Sequence, residues 1–330
     1  MAGSVLPLPG ASAQGSVGSL DVLLTNDDGV NAGYIDIVRD TLCDAGHHVT
    51  VVAPSGDQSG NSSRFTTARD AKLQVATTTF ACGTGTGDQH AVSSTWTSKL
   101  SAGGTYQYSG PASPVDATRF ALSVVYGAGA PDVVISGANP GQNLSSVVLK
   151  SGTVGAALSA AAKGVPGIAL SVAFNGADDA RAGFPASRGA AQALSDWTVR
   201  LLDELQRNRK AGAALLPSGV SLNVNHPTPL AADRTYDDAQ VAGAVLTVAG
   251  KRDLIPITYV PTGAAGEYAV SLTLCGLPGS PAQCDDPEVR DADTTAIDRN
   301  QISVQPMNGD VTIIPPGSTG LQKVLSKLNG

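Results

Sequence analysis

The run DVLLTNDDGVNAGY at residues 21–34 limits the possible folds more than any other stretch. It joins an uninterrupted apolar segment to two adjacent carboxylates and a glycine. Val22, Leu23 and Leu24 show no polar alternation, so they predict a short strand covered on both faces, as in a parallel sheet packed between helices. Residues 34–45 follow with helical spacing and end at Gly46, and HHVTVVAP at 47–54 predicts a second strand. Strand, helix and strand in succession make a βαβ unit, for which a right-handed crossover is expected. Asp27 and Asp28 then fall at the carboxyl end of the first strand, the edge where open α/β sheets bind ligands. Asn-Asp-Asp-Gly also suits an ordinary turn or a helix N-cap. Neighbouring carboxylates repel one another, however, and a shared divalent cation relieves both.

The same alternation continues downstream. Residues 117–126 predict a helix, 131–137 (PDVVISG) a third buried strand, 151–164 an alanine-rich helix, 165–172 (VPGIALSV) a fourth strand and 220–227 (VSLNVNHP) another. Residues 190–209 predict a long amphipathic helix with Leu194, Trp197, Leu201, Leu202 and Leu205 on its apolar side. Residues 55–112 are rich in Thr, Ser and Gly and predict loops and short strands. From about residue 230 the alternation stops and β-ribbons take over. The expected architecture is α/β and Rossmann-like, a mostly parallel sheet with helices on both faces. A flexible tail is expected over 1–19, a core over about 20–227, and an accessory β-rich, C-terminal segment over about 228–330 serving shape or oligomerisation.

A formal net charge of −7 without a Lys/Arg cluster argues against a basic surface for a nucleic acid polymer. No apolar run approaches the roughly 20 residues of a membrane span, so no membrane partner is expected. Low charge, Ser/Thr/Ala/Gly richness and four cysteines favour a secreted protein. The short interval in LCGLPGSPAQC makes Cys275 with Cys284 the natural staple, leaving Cys43 with Cys82; four reduced thiols are the alternative.

Small polar residues end four of the expected strands, at 25–29, 53–66, 136–143 and 223–227, and parallel strands would bring all four to one edge. Oxygen atoms of Asp27, Asp28, Ser59 and Asn139 would form a hard-cation site suited to magnesium, manganese or calcium. Ser151, Gly152 and Thr153 open a helix whose free N–H groups suit a phosphate, though plain N-capping explains them equally. A cation beside such a helix start describes metal-assisted hydrolysis of a small-molecule phosphomonoester. His226, at a strand end, is a candidate general acid if it faces the cleft. The chain offers no secure histidine nucleophile and no Gly-x-Ser-x-Gly elbow.

The ordered set LLTNDDGVNAGY, VVAPSGDQSGNSSRFT, PDVVISGANPGQN, SGTVGAA with GVPGIALS, and LNVN-x-P resembles the SurE family of survival-protein nucleotidases and acid phosphatases. The likeness covers about residues 20–227, with a weaker echo at 291–306. It implies a Rossmann-like domain with an extended β-hairpin and a C-terminal arm used to form a homodimer or larger homo-oligomer. The implied activity is divalent-metal-dependent hydrolysis of nucleoside monophosphates and other phosphomonoesters, with a metal-activated water attacking phosphorus. By position, the resemblance makes Asp27, Asp28, Ser59 and Asn139 the metal ligands, with Asp27 and Asp28 catalytic and Asp27 orienting or deprotonating the water. Asn26 and Gly29 frame the carboxylates, Ser62 and Thr66 shape the phosphate pocket, and Asn143, Ser151, Gly152 and Thr153 contact or position the phosphate. Lys150 stands where the family usually has tyrosine, which places a cation beside the phosphate, and SPVDA at 113–117 also departs from the family pattern. These departures open two alternatives: a phosphate-ester binding protein with little turnover, and a phosphatase for a specialised non-nucleotide substrate.

Overall fold

The computed structural model describes residues 18–99, 104–174, 185–272, 275, 284 and 287–309. Most of the expected tail, and the interior of the Cys275 to Cys284 interval, lie outside the described residues. The strands are β1 (Asp21–Thr25), β2 (His48–Pro54), β3 (Lys72–Cys82), β4 (Gly85–Lys99), β5 (Thr105–Pro111), β6 (Val133–Pro140), β7 (Gly167–Val172), β8 (Ser221–His226), β9 (Ala244–Leu246), β10 (Ile257–Pro261), β11 (Tyr268–Leu272) and β12 (Ile302–Met307). The α-helices are α1 (Ile35–Asp44), α2 (Pro114–Phe120), α3 (Gly152–Ala161), α4 (Pro185–Asn208) and α5 (Asp293–Asp298).

Ten strands form one mixed sheet in the order β3-β4-β2-β1-β6-β7-β8-β12-β9, with β5 paired to β4. The central strands β2, β1, β6, β7 and β8 run parallel, as their continuous apolar runs predict. Alternate residues of β1 serve opposite faces. Val22 and Leu24 pack with Val38 of α1 and Leu194 and Leu202 of α4. Leu23 packs with Ala117 of α2 and Ala160 of α3 on the other face. All of these side chains are fully buried, each contributing about 1.5–3 kcal/mol when it is a large aliphatic. Helices therefore cover both faces. Because β2 and β6 flank β1, the connections leaving β1 and β6 diverge at their carboxyl ends and open a crevice there.

Three regions differ from the sequence-based expectation. Residues 55–71 are loop, as expected, but the following stretch forms not short strands but a long antiparallel ribbon, β3 to β5, with strands of 11, 15 and 7 residues. The Thr-rich composition of β3 suits a strand wet on both faces, a pattern that alternation does not reveal. The helix expected over 117–126 starts earlier, capped by the Ser113 hydroxyl, and its last turn, Ala121–Val125, is π-helical. The C-terminal part also rejoins the core. β12 pairs antiparallel with β8, and β9 pairs parallel with β12. β10 and β11 form a separate hairpin. Disulfides join Cys43 to Cys82 and Cys275 to Cys284. Among the described residues no helix is long and apolar enough to cross a membrane.

Candidate active site

The turn after β1 is pinned by Asn26, whose Nδ2 donates to the carbonyls of Gly29 (2.9 Å) and Ala32 (3.3 Å) while its Oδ1 accepts from the Gly29 N–H. Gly29 has φ +104°, and a Cβ there would lie 2.8 Å from the Gly56 Cα, so glycine alone lets this turn press against the one after β2. The turn aims two carboxylates into the crevice. Asp27 accepts a 2.6 Å hydrogen bond from the Thr153 hydroxyl. Asp28 has a buried Oδ2 with no hydrogen-bond partner among the described residues. Burial raises the pKa of Asp28 to about 7, assisted by the charges of Asp27 and then Asp57. Burial also raises that of Asp27, against the opposing hydrogen bond from Thr153.

The crevice is a cleft of about 330 Å³. Part of its lining is polar, presenting Asp27, Asp28, Ser59, Asn139, Asn143 and Ser151, and part is apolar, presenting Val147, Phe174, Leu254 and Ile255. Ser59 is oriented by Asp57, whose Oδ1 accepts from the Ser59 N–H (3.0 Å) and hydroxyl (2.6 Å). Asn139 donates its Nδ2 to the Gly141 carbonyl at 2.7 Å, which keeps its Oδ1 as the atom available to a cation. Asn143 is clamped by Asn225: its N–H donates to the Asn225 Oδ1 at 2.7 Å and its carbonyl accepts from the Asn225 Nδ2 at 3.2 Å. Asn223 adds a donor to the same carbonyl at 2.8 Å.

Helix α3 meets the polar lining end-on. Ser151 caps it by accepting from the Val154 N–H at 3.1 Å. A Cβ on Gly152 would sit 2.8 Å from the Asp27 Cβ, so the small residue brings the helix start, with its partial positive charge, against the carboxylate. Gly152 and Thr153 thus reach the site through Asp27 and do not line the cleft themselves.

Three expected phosphate residues have other partners. Ser62 donates its hydroxyl to the Leu149 carbonyl at 2.6 Å, and Thr66 donates its N–H and hydroxyl to Asp116 at 3.0 and 2.7 Å. Neither residue lines the cleft, and Asn26 braces the turn behind it. Asn26 is taken up by its own turn, and Ser62 and Thr66 by groups that the fold brings from 87 and 50 residues away. His226 is 2% exposed, with its Nδ1 2.7 Å from the Pro227 carbonyl, and lies outside the cleft, so it is no general acid there. Lys150 does line the cleft, but its ammonium lies 3.3 Å from the Asp253 carboxylate.

The sequence reading missed Asp57, Asn225, Phe174 and residues 253–255. Asp57 was findable, since an Asp two residues before a Ser in a glycine-bounded loop is an Asx-turn pattern. Nothing marks DLI at 253–255, which reads as plain loop.

The residues fit a hard cation. Among the described residues there is no cluster of three or more His, Cys, Asp or Glu side chains of the kind that a nitrogen- or sulfur-rich site uses. What converges instead is an all-oxygen set of two carboxylates, a hydroxyl and an amide carbonyl, with one buried carboxylate oxygen unpaired.

A family model described as "Survival protein SurE" matches residues 22–255. The chain belongs to the SurE family. A protein named 5'-nucleotidase SurE from Thermosynechococcus vestitus is 31% identical over 294 residues, covering 88% of this chain and 91% of that one. Another of that name from a Picosynechococcus species is 32% identical over 237 residues, covering 72% of this chain and 71% of its own. The crystal structure of the SurE protein from Aquifex aeolicus superposes with a TM-score of 0.61 at 20% identity, over 94% of this chain and 99% of that one, a likeness of fold. The SurE match ends at 255, inside the apolar wall of the cleft.

Proposed function

We propose that this SurE-family chain is a phosphoric monoester hydrolase of the nucleotidase type, working with a divalent cation at Asp27, Asp28, Ser59 and Asn139. The observation that carries the reading is the buried, unpaired Asp28 carboxylate oxygen beside Asp27, opposite a helix N-terminus at the sheet's switch point. The relatives named 5'-nucleotidase SurE support the same class.

When bound, the cation supplies charge neutralisation for the two carboxylates and polarisation of a phosphoryl oxygen. The chain does the rest. Thr153 fixes the Asp27 Oδ1, and the Asp27 carboxylate takes a proton from the attacking water as its oxygen bonds to phosphorus and the ester P–O bond breaks, then returns that proton to the departing oxygen. Ser151, at the N-cap of α3, and Asn143, positioned by Asn225, line the phosphate side. Hydrolysis of p-nitrophenyl phosphate should vanish in EDTA, return with manganese or magnesium, and be absent in Asp28→Ala; activity surviving chelation would refute the reading.

Two further parts of the reading have their own support. The β10–β11 hairpin exposes Tyr259 (67%), Val270 (63%) and Tyr268 (60%), a surface suited to a second copy of the chain. A homo-oligomeric mass in light scattering is expected, and a monomer mass at micromolar concentration would remove it. Two disulfides favour an oxidising, extracellular location. Two blocked pairs in thiol titration of denatured protein from culture medium are expected, and four free thiols would contradict that.

A further inference from the structure

The apolar wall of the cleft is a strap, residues 250–255, laid across the 3₁₀ segment Ser145–Lys150 that leads into α3. Its anchors are side chains from distant parts of the chain. Asp293, fully buried, accepts from the N–H groups of both Gly250 (2.9 Å) and Ser145 (2.9 Å), tying strap and segment to one carboxylate. Glu288 accepts from the Lys251 N–H at 2.8 Å. The Ser145 hydroxyl donates to the Arg252 carbonyl at 2.6 Å, and the Ser146 hydroxyl donates to Asp253 at 3.0 Å. Lys150 closes the set through its 3.3 Å contact with the same Asp253 oxygen. Beyond these, the Cys275 N–H donates to the Leu254 carbonyl at 3.0 Å, and Cys275 is held by its disulfide to Cys284. What the anchors deliver to the cleft is Leu254 and Ile255, which line it together with Val147 and Phe174.

We propose that this strap is the leaving-group subsite of the chain, that Leu254 and Ile255 receive an apolar-faced ring such as a nucleobase or aryl group, and that Lys150 is a positioning residue for the strap through Asp253, not a phosphate-binding cation. The inference rests on the phosphomonoester reading of the same cleft. Three observations carry it. The Lys150 ammonium already has a carboxylate partner, so it does not enter the site as an uncompensated positive charge. The strap's contribution to the cleft lining, Leu254 and Ile255, is apolar and joins Val147 and Phe174, which suits the body of an ester and not its dianion. The strap is anchored by Asp293, Glu288 and the Ser145–Lys150 segment, whereas Asp27 is held by Thr153, so the two sides of the cleft have different anchors.

The test uses binding, so that it does not depend on turnover. The Kd of inorganic phosphate and of a hydrolysis-proof nucleoside 5'-phosphonate is measured by calorimetry with manganese on the full chain. In Leu254→Ala and Asp253→Ala the phosphonate should weaken roughly tenfold, with inorganic phosphate within about twofold of wild type. Lys150→Ala should show the same split, and the charge exchange Lys150→Asp with Asp253→Lys should recover most of the loss. Equal weakening of both ligands in Lys150→Ala, without rescue by the exchange, would make Lys150 a phosphate cation and overturn the proposal. Unchanged phosphonate affinity in all three single variants would overturn the subsite. If wild type binds neither ligand, the phosphomonoester reading fails first, and an absence of hydrolysis with the split intact would sink only the catalytic part of that reading.

Discussion

The two walls of the cleft are built in opposite ways. The carboxylate wall follows from backbone topology: each of its groups sits within a few residues of the end of β1, β2 or β6 or the start of α3, and parallel pairing gathers them at one edge. The strap wall depends on side-chain hydrogen bonds that span 37 to 107 residues of sequence. A wall set by topology tolerates loss of a functional group without unfolding, whereas a wall set by tethers moves when one is cut. Chemistry and recognition should therefore separate under mutation.

The largest effect belongs to the carboxylate wall. Asp28→Asn should lower kcat at least 100-fold, since even the outer partners of metal ligands cost 10- to 100-fold when lost. The metal-free protein should melt no lower than wild type in EDTA, because the substitution removes a buried charge whose Oδ2 has no partner and which repels Asp27. A variant that keeps a tenth of the wild-type kcat would break the assignment of this wall to the reaction. Divalent cation belongs to the same comparison: at 100 times its Kd it should stabilise wild type by about 2.7 kcal/mol and Asp28→Asn far less, as thermal shift would show.

Cutting a tether comes next. Asp293→Ala strands the N–H groups of Ser145, Gly250 and Thr294, and should cost about 2–3 kcal/mol in urea unfolding. The KM of a nucleotide should rise while a small alkyl phosphate keeps its kcat. A midpoint equal to wild type would mean that the strap hangs elsewhere.

The disulfides offer a smaller contrast. Cys43–Cys82 spans 39 residues and Cys275–Cys284 spans 9, so loop-closure entropy assigns them about 4 and about 3 kcal/mol. Double serine replacement of the first pair should lower the melting temperature more. Replacement of the second should register more in nucleotide KM, because Cys275 backs Leu254. The reverse order in both measurements would unseat the strap's dependence on Cys275.

The same division explains what the sequence reveals. Asp27, Asp28, Ser59 and Asn139 are legible because a buried parallel strand leaves an apolar run and its carboxyl end a polar one, so position in sequence nearly equals position at the edge. Ser62 and Thr66 are legible as residues near the site but not as to role, since a hydroxyl's partner depends on which carbonyl or carboxylate the fold brings beside it. Leu254 and Ile255 are illegible: their place depends on Asp293 and Glu288, dozens of residues later, and no local pattern links the two. Strand β3 of the ribbon escaped for a different reason, as a strand exposed on both faces leaves no alternation to read.

The smallest expected effect lies on neither wall and serves as their control. His226 is buried, and burial lowers its pKa from the ordinary 6.5 despite the Pro227 carbonyl and the Asp238 charge, both of which favour the protonated ring. The folded state therefore holds the ring neutral after the unfolded chain has begun to protonate. Above pH 6.5 neither state binds the proton and the group contributes no slope; as pH falls below 6.5 the unfolded state gains protons first and stability declines until the lower folded pKa is reached. His226→Gln should flatten that part of the stability profile below pH 6.5, as urea midpoints at each pH would show. It should leave the pH profile of kcat unmoved, because the ring lies outside the cleft. A shifted kcat profile would return His226 to the reaction and make the carboxylate wall incomplete without it.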